Sequence, residues 1–403
     1  MNRALFSGLS STAAQQVKLD VAANNLGNVS TVGYKAQRVT FQDAYYQTLR
    51  SGQPSSTIVG GTSPIQVGSG VRVATTSIDE TQGAVERTGQ SLDAAVDGRG
   101  MFVVSGPNGK CYTREGVMQL DDTGTLVMAS TGFRVQGWQA INGQVDALAE
   151  TGDLAFALQT ARSPVATTAA TVQGNLPSGL AVGEPYACSI SVYDALGQTH
   201  RVDLTFAKSA DLTWDVVTTV EGTTVNSTVT FTSEGIVDTG GSVSLAAPMT
   251  GGADDLNMTI DLSSLTQFVN GSELVATYQD GYGAATLLNL SIVDGGVVMG
   301  HYSDGRTGTL GKVALGTFAN EGGLQRVGDN LYAMTAASGI VQIGEAGVDG
   351  RGNIVGQALE GSNTDLTSSF LDMLVTQRAY QANTRVISTA NQFLEEAIRL
   401  ADR

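Results

Sequence analysis

The chain has 403 residues, long enough for two or three domains, with 50 glycines, 6% aromatic and 15% charged residues, the last well below the usual quarter. Its formal charge is −16 and it has no Lys/Arg cluster, which argues against nucleic acid and anionic membrane surfaces, since both demand concentrated cations. No apolar run approaches the ~20 residues of a membrane span, and the opening "MNRALFSGLSSTAA" lacks a continuous apolar stretch, so no cleaved signal peptide is expected, and if the protein leaves the cell it does so by another route.

The first predicted element is a helix over 3–26. Leu5, Leu9, Thr12, Gln16, Leu19, Ala23 and Leu26 follow alternating steps of four and three, the seam spacing of a coiled coil, with Val17 and Val21 widening the stripe. It ends in "NNLGNVSTVGYK", where Asn24, Asn25, Gly27, Asn28, Gly33, Tyr34 and Lys35 specify the exit. Gly27 or Asn28 is the expected left-handed cap, because both residue types tolerate positive φ.

Residues 31–70 are expected to connect rather than pack, since 48–70 is rich in Gly, Ser, Thr and Pro. From 71 to 160, short alternating runs separated by Pro-Asn-Gly and Asp-Asp-Thr-Gly predict antiparallel strands. Residues 161–284 are again β-like and threonine-rich, and 285–361 return to the earlier style.

The chain changes character at Ser362, after which there is neither glycine nor proline. Leu366, Phe370, Met373, Gln377, Tyr380, Thr384, Ile387, Asn391, Leu394, Ile398 and Ala401 keep strict four–three spacing. A helix from Asp365 would run roughly 57 Å, with Asp365 or Thr367 capping its start. Sustained heptads of this length call for a helical partner, either the N-terminal helix or another subunit.

Little here carries chemistry. His200 and His301 stand in strand-like settings far from any H-E-x-x-H spacing or G-x-S-x-G elbow. "DDTGT" at 121–125 lacks the alternating ligands of a calcium loop and reads as a hairpin turn. The two "VDGRG" copies read as glycine turns entering strands rather than phosphate cradles. Cys111 and Cys188 form one disulfide at most, with two unpaired residues in strands the preferred reading. No catalytic, metal or cofactor site is expected.

Charge divides the chain. The two helical ends sum to neutrality, whereas 161–284 holds thirteen acids against Arg162, Arg201 and Lys208, a net of −10. Uncharged ends associate without self-repulsion, and an acidic domain stays solvated.

The stretches at 7–35 ("SGLSSTAAQQVKLDVAANNLGNVSTVGYK") and 359–400 ("LEGSNTDLTSSFLDMLVTQRAYQANTRVISTANQFLEEAIRL") resemble the paired terminal motifs of the bacterial flagellar rod, hook and hook-associated family. "LDAAVDGRGMFVV", "YTREGVMQLDDTGTLV" and "GFRVQGW" are similar to the β domain of its rod and hook branches. "VYDALGQTHRVDLTF", "GHYSDGRTGTLGKVALGTFANEGGL" and "VGDNLYAMTAASG" look like the hook branch. Distal rod members are expected to be shorter and to lack 161–284. One departure is Ser368-Ser369, where the family carries an acidic residue after "DLT".

The expected fold is mainly β with a helical terminal domain, the long N- and C-terminal helices pairing in a coiled-coil-like manner, plus two nested, mostly β domains. The expected boundaries are 1–30 with 362–403 for the helices and 31–70 for an extended connector. The inner β domain takes 71–160 with 285–361, and the outer one 161–284.

The resemblance implies a homopolymer: a curved, flexible tube that transmits torque from rod to filament and encloses an export channel. It also implies contacts with rod proteins, the hook cap, hook–filament junction proteins and the flagellar type III export apparatus, at an extracellular location. Leu5, Leu9, Leu19, Ala23, Leu26, Leu366, Phe370, Met373, Tyr380, Ile387, Leu394 and Ile398 are the expected assembly residues. The rivals are a distal rod or junction protein, and a secreted β-rich adhesin or enzyme with a helical anchor.

Overall fold

The computed structural model describes residues 2–54, 60–141, 143–158, 161–249, 252–269 and 273–401. Residues 55–59 of the expected connector and 402–403 of the expected C-terminal helix lie outside them. Two compact units emerge, one of residues 1–157, 289–301 and 307–403, the other of 158–288 with 302–306.

The first unit holds both helices. Helix α1 spans Asn2–Gly27 and helix α2 spans Leu366–Ala401. Each is long because no proline interrupts it and Ala, Leu, Gln and Arg recur. Asp365 starts α2 by accepting from the Thr367 and Ser368 amides at 2.8 and 3.3 Å, satisfying donors that a helix start leaves free.

The end of α1 departs from expectation. Neither Gly27 nor Asn28 has a positive φ; the left-handed residue is Gly33, at φ 68°. The Asn28 side chain donates to the Asn24 carbonyl at 2.9 Å, so that end of the helix is satisfied without a left-handed turn.

The segment expected to be a connector also forms strands. Gln37–Asp43 pairs antiparallel with Val71–Ile78, and Tyr46–Arg50 with Ile65–Gly68. Every residue of the second ladder is exposed, so backbone pairing holds it while its side chains stay largely in solvent. The Gly/Ser/Thr composition concealed the short segments in which isolated apolar residues stand between polar ones, such as Ile65–Gly68 and Tyr46–Arg50.

The β part of this unit runs, in sheet order, Thr307–Val313, Arg134–Ile141, Met101–Gly106, Gly109–Thr113, Leu331–Ala333 and Gln325–Gly328. Met101, Val103, Tyr112, Phe318, Leu324 and Tyr332 form a buried cluster, with Tyr112 and Phe318 edge to face at 4.7 Å. Two short ladders bring the end of the β part beside its start: Ala94–Asp97 with Asn353–Gly356, and Val85–Arg87 with Ala358–Glu360. The 121–125 turn closes a hairpin between Met118–Leu120 and Leu126–Met128, with Asp121 accepting from the Thr123 and Thr125 amides.

The second unit contains two five-stranded sheets. One is an antiparallel meander of Pro185–Tyr193, Thr199–Ala210, Thr213–Val220, Thr223–Phe231 and Val237–Thr239. The other is mixed, with Ala169–Pro177 parallel to Leu256–Asp261 and Leu265–Phe268 and antiparallel to Glu273–Gln279. Alternation does the sorting: in Thr199–Ala210 every second residue is buried, as a half-buried strand requires. Leu204, Phe206, Trp214, Val216, Leu245 and Ile260 share its core. Cys111 and Cys188 are both free and half-buried; burial pushes the Cys188 thiol up to about 11, which keeps it protonated and unreactive.

Candidate functional site

The helices pair antiparallel. Lys18 meets Asp372 at 3.4 Å, while Gly8 lies against Asn383 and Ile387. A Cβ on Gly8 would stand 2.9 Å from Ile387 Cγ1, so the helices approach as closely as they do because that position has no side chain.

The seam within the chain keeps only part of the predicted series. On α2, Met373, Tyr380, Ile387 and Leu394 are half-buried as members of it. The alternate positions are filled one residue earlier, by Ser369, Thr376, Asn383, Ala390 and Ala397, while Leu366, Phe370 and Ile398 stand 56%, 51% and 61% exposed. On α1, Leu5, Leu19 and Leu26 are half-buried, Leu9 and Ala23 are exposed, and the buried positions are Gly8, Ala14, Ala22 and Asn25. Close packing selects the small residues for the inside and leaves the large ones out. Leu371, Leu374, Val375 and Phe393 join Phe370 among the exposed apolar residues, a run that soluble single chains rarely present.

The exit motif is the other part of the site, and it is a junction. Asn25 pairs with both backbone groups of Gln37, at 2.8 and 2.9 Å, carrying α1 into the first ladder. The Tyr34 hydroxyl donates to Asn24 Oδ1 at 2.8 Å and also lies 3.1 Å from Asn25 Oδ1. The Arg326 guanidinium lies 4.9 Å from the Tyr34 ring centre and 5.5 Å from that of Tyr332, and donates to the Lys35 carbonyl. A cavity of about 630 Å³ opens beside these groups.

Lys35 itself is buried. Its ammonium sits 2.6 Å from Glu360 Oε1 and donates to the Thr81 carbonyl at 2.8 Å. Arg114 takes the other carboxylate oxygen at 3.1 Å and donates to the Val96 and Gly98 carbonyls. Glu360 is wholly enclosed, and Lys35 and Arg114 are each 3% exposed. Burial lowers the Lys35 pKa below the ordinary lysine value, although the Glu360 hydrogen bond and charge pull it upward. Asn363, just before α2, accepts from the Ala36 amide at 2.7 Å and donates to the Asp79 and Thr81 carbonyls. The exit of α1, the entry to α2 and two β segments are thereby locked together. The groups are turned on one another, so the arrangement fixes backbone positions.

The comparisons with known proteins follow the same division of the chain. Residues 6–35 match the family model "Flagella basal body rod protein", and 95–173 match "Flagellar hook protein FlgE/F/G D1 domain". Residues 181–282 match "Flagellar basal body protein FlaE D2 domain", and 355–400 match "Flagellar basal body rod FlgEFG protein C-terminal". Flagellar hook protein FlgE of Borreliella burgdorferi is 34% identical, covering 99% of this chain and 100% of the relative. The chain belongs to the flagellar hook protein family.

The fold agrees with that membership. The crystal structure of Helicobacter pylori flagellar hook protein FlgE2 superposes with a TM-score of 0.52 at 14% identity, covering 67% of this chain and 99% of that one. A rod protein matches as well. Flagellar basal-body rod protein FlgG of Bacillus subtilis is 28% identical over 99% of both chains.

Arg114, Arg326, Glu360 and Asn363 were missed by sequence reasoning. The available signal was "ALEGSN", a lone acid beside the helix start in a stretch otherwise uncharged. Gly33 offers the sharpest local test. Its φ is positive, and a Cβ there would come within 2.5 Å of the Arg114 carbonyl carbon. Gly33→Ala is therefore expected to destabilise the first unit by about 1–3 kcal/mol, read as an earlier midpoint in urea unfolding.

Proposed function

We propose that this protein is a structural, non-enzymatic subunit of the bacterial flagellar hook. Its copies polymerise into a curved, flexible tube that passes torque from rod to filament as a universal joint and encloses the export channel. The helical ends 1–30 and 362–403 supply the channel-lining layer of the tube, and the β portions its outer layers. The partners are other copies first, then rod proteins, the hook cap, the hook–filament junction proteins and the flagellar type III export apparatus. The product is extracellular.

The observation that carries this reading is the exposed apolar face of α2. Phe370, Leu371, Leu374, Val375 and Phe393 are each at least 41% exposed, although α2 already has α1 as a partner. Water-exposed area of that kind is favourably buried between copies.

The test is electron microscopy of concentrated protein, with salt raised to screen the −10 of residues 161–284. Curved tubes are expected, and sulfate is expected to promote them. Ala161 and Thr286 are ladder partners, so residues 161–284 can be removed and the gap closed by a short linker. That variant should still form tubes, with altered curvature. A second reading, a distal rod subunit, is favoured by the similarity to that rod protein; straight tubes from the parent protein would select it. Protein that stays unassembled at every salt concentration would overturn both readings.

A further inference from the structure

His200 opens the strand Thr199–Ala210 in the second unit, and its side chain is 1% exposed. Both ring nitrogens face carboxylates: Nε2 lies 3.0 Å from Asp194 Oδ2, and Nδ1 lies 2.7 Å from Glu221 Oε1. An ionised carboxylate only accepts hydrogen bonds, and a neutral imidazole donates from one nitrogen alone. Both contacts are satisfied together only when the ring carries two protons.

The two carboxylates belong to different hairpins. Asp194 uses its other oxygen to accept from the Leu196 and Gln198 amides at 2.9 and 2.8 Å, building the turn between Pro185–Tyr193 and Thr199–Ala210. Glu221 has a φ of 43° and precedes Gly222 at 86° in the turn between Thr213–Val220 and Thr223–Phe231. In an antiparallel meander these two turns lie at the same end of the sheet.

We propose that His200 is held as an imidazolium at neutral pH and clasps these two hairpins, so that the second unit loosens when the medium turns alkaline. Asp194, from the turn preceding His200, and Glu221, from the neighbouring hairpin, are the titratable groups that face the ring among the described residues. Burial pulls the imidazole downward, but its hydrogen bonds to the two carboxylates and their charges outweigh this and raise it above the ordinary value. Burial pushes Asp194 up, and the His200 and amide hydrogen bonds outweigh that and hold it low.

The sign follows from linkage. The His200 contribution is fully present below the unfolded histidine value near 6.5 and is lost as pH rises through the higher folded value. The Asp194 contribution is present above the ordinary carboxylate range and fades as pH falls through its lowered folded value. The clasp is closed between those limits and opens on the alkaline side.

The full-length protein suits the test because it has only two histidines. With ring-¹⁵N histidine and His301→Gln to assign the signals, the His200 ring is expected to titrate above 6.5 and to carry both protons at neutral pH. A Trp138→Phe background leaves buried Trp214 as the fluorescent reporter of the second unit. There the Tm should fall as pH rises through the raised folded histidine value. His200→Gln should lower the Tm at pH 7 and flatten that dependence. A ring that is neutral at pH 7 or titrates at or below 6.5 overturns the proposal, as does a His200→Gln profile parallel to the parent's. Should His200→Gln not fold, the titration of the parent ring decides alone.

Discussion

Phe393→Asp, and separately Phe370→Asp, should raise the critical concentration for assembly about 100-fold or more while leaving the soluble chain folded. Both rings are more than half exposed in the single chain, so neither is needed to pair α2 with α1. Burying one of them between copies contributes up to about 1.5–3 kcal/mol, and an aspartate in its place must be desolvated without a partner, at a further cost. Since each 1.4 kcal/mol is about tenfold in an equilibrium constant, the two losses together reach two powers of ten.

Sedimentation of polymer against total protein measures the critical concentration, and far-UV circular dichroism of the soluble fraction checks the fold. Ile387→Asp is the contrasting variant. Its side chain lies against Gly8, so it should disrupt the helix pair within the chain as well as assembly. Normal tubes from Phe370→Asp and Phe393→Asp at the parent's concentration would show that this face of α2 is not the assembly surface.

The second large effect is expected at the junction. Glu360→Gln keeps the shape of the side chain but removes the carboxylate charge that pairs with both Lys35 and Arg114. All three are buried, with contacts of 2.6 and 3.1 Å. Breaking a buried ion group by removing one partner costs about 3–5 kcal/mol, because charge is left uncompensated.

Urea unfolding followed through Trp138 should show that loss. Hydrogen exchange should show the Gly33 amide, bonded to the Glu360 carbonyl at 2.7 Å, losing protection with the rest of the exit motif. The Glu360 backbone is unchanged in this variant, so faster exchange there reports loosening of the junction itself. A cost below about 1 kcal/mol, no more than an exposed pair contributes, would mean that the triad does not hold the helix exits in place.

The two long helices, the β-rich middle and the hairpin at Asp121–Gly124 were legible in the residues, and for a local reason. Freedom from glycine and proline, a four–three repeat, a two-residue alternation and an Asp-to-amide turn each act over a few positions of chain. The stretch Thr199–Ala210 shows this plainly: its alternation alone places Val202, Leu204 and Phe206 inward. Family membership was legible in the same way, because the terminal motifs are long and position-specific.

The phase of the helical seam was not legible. Apolar spacing marks Phe370 and Ile398 as readily as Met373 and Ile387, and the choice between them depends on how closely α1 approaches. That approach is set by Gly8 and by small residues such as Ala390. Nor did the sequence disclose that Lys35 would find its carboxylate 325 positions away, or that His200 would sit between carboxylates from two hairpins. A buried charge announces that it needs a partner, since desolvation makes an unpaired one costly. Which partner it meets depends on the strand ladders that bring remote segments together, and those are properties of the folded chain.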